Sequence, residues 1–234
     1  MGQKIIFTNT SHLPDLEKPV PASREVPSWY TDLESYVGGK KIPPSKDSPT
    51  STIKRCMPVF DAMVSGYLIK SPADLFVSLK ERPGEGLQPL LEWPSLDLIE
   101  FHPTEQAPNH PYANGSNYPK WHNYWAIKTP PGYSTLFIQP LHRESVFTIL
   151  PGVVDTDTYN NPVNFPFIFH DLNFEGLIPR GTPIAQAIPF KREEWTMEFG
   201  KEEELTEQIK ISQNLSTKWF DKYKTMYRQV KTYK

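Results

Sequence analysis

Gly152-Val153-Val154-Asp155-Thr156-Asp157-Thr158-Tyr159, and further on Ile178-Pro179-Arg180-Gly181-Thr182-Pro183-Ile184-Ala185-Gln186-Ala187-Ile188-Pro189, share one pattern. Each sets a turn signal beside a short apolar run. The first reads as a tight hairpin from Gly152 to Asp157. In the second, the turn at Pro179 to Thr182 opens an apolar strand over Ile184 to Phe190. Upstream, Thr129-Pro130-Pro131-Gly132-Tyr133-Ser134-Thr135-Leu136 repeats the order of turn and then strand. That strand runs over Tyr133 to Pro140, with Leu136 and Ile138 on one face, and leads into Leu141-His142-Arg143. Further strands are expected at Tyr124 to Ile127, Val146 to Leu150 and Phe165 to Phe169. The stretch from 123 to 190 is the densest β signal in the chain.

On the N-terminal side, residues 51 to about 105 read as a meander of short strands. Phe60 to Ile69 is largely apolar, with Gly66 inside it. Leu75, Val77 and Leu79 alternate with Phe76, Ser78 and Lys80, a period of two. Pro83-Gly84-Glu85-Gly86 is a turn, and a strand from Leu96 to Phe101 ends at Pro103. Residues 106 to 122 read as a long loop bearing His110, Tyr112, Tyr118, Trp121 and His122; loops of this length in a compact domain are often functional. Residues 1–50 form a proline-rich arm, with a short strand at Lys4 to Phe7 and a helix that Ser28 caps, carrying Trp29, Tyr30, Leu33 and Tyr36. Residues 51–200 form a β-rich core domain. Residues 201–234 form a helical tail, in which Leu205, Ile209, Leu215, Trp219, Tyr223, Met226 and Val230 fall at helical spacing. The expected fold is mainly β: a jelly roll or distorted β-barrel with an irregular N-terminal arm and a C-terminal α-helix.

Composition narrows the function classes. The chain has 234 residues and a formal net charge of −2, which speaks against a protein that coats nucleic acid. Its 25 prolines are roughly twice the average share, which favours short strands and loops over a helix bundle. The one cysteine, Cys56, allows no internal disulfide. It lies beside Lys54 and Arg55 and reads either as an activated thiol or as a small buried apolar side chain; the second is expected. No apolar run is long enough to span a membrane. Met1 to Ile6 match neither a signal peptide nor a myristoylation site, so the cytoplasm is expected, or a host's cytoplasm for a viral protein.

Taken in order, the three segments quoted first resemble the dUTPase and dCTP deaminase superfamily over roughly residues 125 to 190. In that family a Pro-Gly-Tyr strand leads to an Arg-bearing motif, then a Gly-Val-Ile-Asp hairpin, then a strand reading Gly-x-x-Ile-Ala-Gln. The resemblance implies a distorted barrel. It also implies that Asp155 is the catalytic hairpin carboxylate, and that Arg143 and Gln186 lie on the phosphate side. Asp157 and Tyr159 complete the ligand-binding set. The chemistry suits these residue types: a hairpin backbone can read a pyrimidine edge, a carboxylate can orient a water, and Arg can hold phosphate oxygens. A nucleotide hydrolase of this kind would call for Mg2+. Separately, Cys56-Met57-Pro58-Val59-Phe60-Asp61-Ala62-Met63, with Trp29-Tyr30, is similar to uncharacterised proteins of tailed phages and bacteria.

The chain also departs from that pattern. Thr158 separates Asp157 from Tyr159, and Asn160-Asn161 follows where the family has Arg-Gly. Glu144 stands beside Arg143 in place of a serine. The upstream Ala-Gly-Tyr-Asp-Leu motif and the glycine-rich closing arm are missing. The function expected first is therefore a small-ligand, nucleotide-binding β-barrel without dUTPase catalysis. The alternatives are a nucleotide hydrolase, a metal-dependent jelly roll using His110, His122 and His142, and a viral assembly protein whose arm and tail join subunits of a homo-oligomer.

Overall fold

Alternation at period two produces the longest hairpin. Leu75 and Val77 turn inward and Phe76 outward, because successive side chains of a strand point to opposite faces. The computed structural model describes residues 3–13, 15–40, 51–82, 84, 86–94, 97–111, 117–217 and 222–234. Met1, Gly2, Pro14, Pro43, Pro44, Pro49, Pro83, Glu85, Leu96, Tyr112, Asn114, Gly115, Ser116 and Trp219 lie outside the described residues.

In chain order the strands are β1 (Ile6–Asn9), β2 (Val20–Pro21), β3 (Tyr67–Lys70), β4 (Leu75–Arg82), β5 (Gly86–Glu92), β6 (Ile99–His102) and β7 (Tyr118–Trp121). They continue with β8 (Trp125–Lys128), β9 (Tyr133–Ile138), β10 (Phe147–Ile149), β11 (Gly152–Val154), β12 (Phe165–Phe169), β13 (Gly176–Ile178) and β14 (Pro183–Lys191). The α-helices are α1 (Ser28–Asp32), α2 (Met57–Met63) and α3 (Glu202–Thr217). All strand pairs are antiparallel. They build sheets ordered β11-β9-β14-β3-β2, β10-β12-β7-β6, β13-β4-β5 and β1-β8. The protein is mainly β with a C-terminal helix, as expected, and among the described residues no sheet closes on itself.

The chain divides into two compact units. One comprises Met1–Ala22 and Gly66–Arg192; the other comprises Ser23–Ser65 and Glu193–Lys234. Every strand falls in the first and every α-helix in the second. The first unit holds the large core. Trp121, Phe137, Phe147, Phe165 and Phe167 are fully buried there, with Ile69, Leu75, Ile149 and Ile184. Trp121 stacks on Phe167 at 5.1 Å, and Phe147 leans on the same ring at 5.1 Å. On β9 the buried face belongs to Thr135 and Phe137, not to Leu136 and Ile138, which are half-buried.

Several local expectations are corrected. Phe60 to Ile69 is no single strand. Pro58 sits in the first turn of α2, where its missing N–H leaves no bond unmade. The strand begins only at Tyr67, after Gly66 turns the chain at φ 70°. Ser28 does not cap α1; it is its first helical residue, and Pro27 holds the cap position without a side-chain bond. Tyr118–Trp121 of the 106–122 loop form β7, because β6 and β12 flank it on both sides and satisfy its backbone. Cys56 is exposed rather than buried. The stripe on α3 forms, but Leu205, Ile209 and Leu215 are exposed.

Candidate functional site

Three strands of the five-stranded sheet end together at the hairpin. β9 pairs with β11 through Thr135 and Val154, and with β14 through Ser134 and Phe190. Register therefore brings the turn after β11, the turn before β9 and the residue after β14 to one corner. Gly132, at φ 83°, supplies the left-handed residue of the Pro130–Tyr133 turn. Arg192 extends the ladder one step beyond β14, its N–H donating to the Gly132 carbonyl at 2.8 Å.

Arg192 organises the corner. Its Nη1 donates to Asp157 Oδ1 at 2.9 Å and to Asp155 Oδ1 at 3.2 Å, while its Nη2 donates to Asp157 Oδ2. Nη1 also reaches Ser134 Oγ at 3.0 Å and the Tyr133 carbonyl at 3.1 Å. The Gly132 N–H donates to Asp157 Oδ2 at 2.8 Å. The bidentate Arg192 fork, and after it the Gly132 N–H, hold the Asp157 carboxyl down to about 2. Its side chain is 7% exposed.

Asp155 differs. Its Oδ1 accepts from Ser134 Oγ at 2.6 Å, yet its side chain is 62% exposed. Beneath the turn three buried hydroxyls join: Thr156 Oγ1 lies 2.8 Å from both Thr129 Oγ1 and Thr135 Oγ1. The turn closes through the N–H groups of Thr158 and Tyr159, which both donate to the Asp155 carbonyl. Tyr159 is half exposed on the same turn.

Of the residues singled out from sequence, Asp155, Asp157 and Tyr159 share this corner. Gln186 and Arg143 meet elsewhere, around Leu141. Gln186 is fully buried and its Oε1 accepts the Leu141 N–H at 2.9 Å. Arg143 donates to the Leu141 carbonyl at 3.1 Å and to the Ala22 carbonyl at 3.4 Å. His142 between them takes φ 57°. Arg192, Ser134 and the three threonines were not foreseen. A basic residue just past an apolar strand was the available signal for Arg192, but only the register shows what it faces.

The histidines scatter. His102 pairs with Gln106, His122 contacts Glu100 at 3.3 Å and His170 meets Thr148 at 2.6 Å. Lys120, and after it His122, hold the Glu100 carboxyl below its ordinary range. Among the described residues no group of three His, Cys, Asp or Glu could hold a metal. Asp155 and Asp157 do not fit a protein-held Mg2+ either, because the Arg192 guanidinium occupies the space a cation would need between them. No helix among the described residues is long and apolar enough to cross a membrane.

No family model matches the chain, and no curated protein does. Among solved structures, a mutant dUTPase from phage phi11 of S. aureus is similar at 11% identity, covering 85% of this chain and 95% of its own, with a TM-score of 0.35. A mutant of the Staphylococcus bacteriophage 80alpha dUTPase with dUpNHpp is similar at 13% identity, covering 85% and 87%, with the same TM-score. Both belong to the family that residues 125 to 190 resemble. At that score neither likeness bears on function, which rests on the corner's own geometry.

Proposed function

We propose that this protein binds a small polar-ring ligand, a nucleotide first of all, at the Asp155–Tyr159 turn and does not hydrolyse it. One observation carries the reading: Asp155 is held by Ser134 and Arg192 at one oxygen while most of its carboxylate faces solvent. A fixed acceptor beside a half-exposed aromatic ring suits the donor edge and the face of a base. Two further facts favour binding without turnover. Gln186 and Arg143 bond to backbone around Leu141, and Asp157 is consumed by Arg192 and Gly132.

The test is calorimetric titration with dUMP, dUTP and dCMP, with product analysis alongside. Binding of one pyrimidine nucleotide that Asp155→Asn abolishes, at unchanged unliganded stability, is expected. Saturation a hundredfold above Kd should add about 2.7 kcal/mol to stability. Absence of binding by all three at millimolar concentration overturns the reading, and released pyrophosphate overturns its non-hydrolytic part.

A second reading, assembly into a homo-oligomer, is favoured by Trp195, Met197 and Phe199. These alternate residues lie outside any helix or strand and are 86%, 81% and 87% exposed. Added as a strand to a second copy, the segment would place all three on one face. Sedimentation equilibrium of the wild type against a W195S/M197S/F199S variant tests it; a wild-type monomer at tens of micromolar (about the Kd of a weak interface) rules it out.

A further inference from the structure

We propose that the hairpin corner selects an unphosphorylated nucleoside, whose base lies flat on an apolar shelf running from Asp155 across the outer face of β11, β9 and β14. This rests on the reading of the corner as a base-binding site and names the class of ligand it takes.

The shelf follows from register. Val153 of β11 stands opposite Leu136 of β9, and Leu136 stands opposite Ile188 of β14. Phe190, two residues beyond Ile188, stands opposite Ser134. Val154, Thr135, Phe137 and Ala187 turn to the core. Val153, Leu136, Ile188 and Phe190 therefore turn away from it, because side chains alternate along a strand. Asp155 falls on the same side as Val153, two residues on, and the bond it accepts from Ser134 Oγ fixes that face. Val153 is 60% exposed, Phe190 is exposed, and Leu136 and Ile188 are half-buried. Beyond Ile188 the face is closed, since Gln186 and its partner Leu68 are fully buried. The polar corner thus has an apolar floor with a limit.

Size and charge then select the ligand. Two strand spacings carry the row about 10 Å from Val153 to Ile188, and the step from Ile188 to Phe190 adds about 7 Å along the strand. That footprint suits a heterocycle with its sugar. It is about a tenth of the roughly 800 Å² that a partner protein covers. The corner's own ionic side chains are Asp155, Asp157 and Arg192, two carboxylates against one guanidinium, which leave one negative charge. Both terminal nitrogens of Arg192 are engaged, by the two carboxylates, Ser134 and the Tyr133 carbonyl. Lys191 turns to the opposite face of β14. A phosphate would bring close to two further negative charges into this field. A nucleoside brings none: its base donates to Asp155 and lays its face on the floor, with Phe190 as the stacking residue.

The experiment is calorimetric titration of the full chain with deoxyuridine, deoxycytidine and their monophosphates. At low ionic strength a nucleoside is expected to bind about threefold more tightly than its monophosphate, the effect of a dianion about 10 Å from one net charge in water. The gap should narrow at about 0.15 M salt. Phe190→Ala should weaken nucleoside binding about tenfold, the loss of one stacked ring. Val153→Lys, at an exposed position, places a cation on the shelf and should reverse the order, so that the monophosphate binds more tightly. A wild-type protein that prefers the monophosphate overturns this inference and leaves base binding at the corner standing. So does V153K with the wild-type order, or F190A with wild-type affinity. Silence of all four compounds at millimolar concentration overturns the inference together with the reading it rests on.

Discussion

Asp157 shows what a single carboxylate does at the corner of the sheet. With its carboxyl held near 2 against an ordinary 3.8, the folded state binds the proton less readily than the unfolded one. A depressed acid stabilises the fold fully above its unfolded value and loses that contribution as pH falls through its folded value. Stability is therefore expected to be flat above about pH 5 and to decline from there towards pH 2. Asp157→Asn should flatten much of that decline in urea titrations read by tryptophan fluorescence. An undiminished slope in the variant would assign the acid sensitivity elsewhere. Asp61, lowered first by its bonds to Arg228, contributes a slope of the same sign. Gly66 is the second residue with a sharp outcome. A Cβ there would sit 2.1 Å from the Ala187 carbonyl oxygen, at a φ of 70° that side chains rarely adopt. Gly66→Ala should cost about 3 kcal/mol, strain and clash together, measured as a shift of the urea midpoint at constant slope.

At the scale of elements, the hairpin corner depends on three strand ends agreeing in register. Thr129, Thr135 and Thr156 tie the ends of β8, β9 and the turn after β11 by buried hydroxyls. Thr156→Val keeps the volume but leaves two buried hydroxyls short of a partner, and should cost about 2 kcal/mol. A chemical-denaturation midpoint equal to wild type would show that water replaces the lost bonds. Strands from Tyr124 to Phe190 were legible because turn signals and β-branched runs alternate there over short distances. So was the grouping of Asp155, Asp157 and Tyr159, which a single turn holds. Arg192 was not, since its partners lie more than thirty residues away and only pairing of β9 with both neighbours brings them in reach. Helix α2 was hidden for a different reason. Val59, Phe60, Met63 and Val64 are as apolar as a strand, and proline in a first helical turn gives no warning when it is read as a breaker.

For the whole molecule, the governing fact is that the second unit is discontinuous. Asp61 from its first segment meets Arg228 and Lys231 from its last, with Gly66–Arg192 of the β unit between them in sequence. The carboxylate side chain is 9% exposed and Arg228 13%, so removing one partner strands a charge. Asp61→Ala should destabilise this unit by about 3 kcal/mol. An unfolding curve unchanged by the substitution would show that the ion pair is dispensable.

That anchoring has a consequence in time. The β unit closes its last strand at Lys191 and can finish folding while the chain is still being made. The segment from Ser23 to Ser65 emerges from the ribosome early, yet Arg228, the charged partner of its Asp61, follows 167 residues later. Until Arg228 is out, Asp61 has to wait hydrated, with Tyr30 and Phe60 beside it. A nonsense codon between Arg192 and Arg228 would therefore release a protein whose β unit is complete and whose helical unit is not. The order of synthesis thus sets the order of closure: the helical unit, opened at Ser23 before most of the β unit exists, is the last one allowed to close.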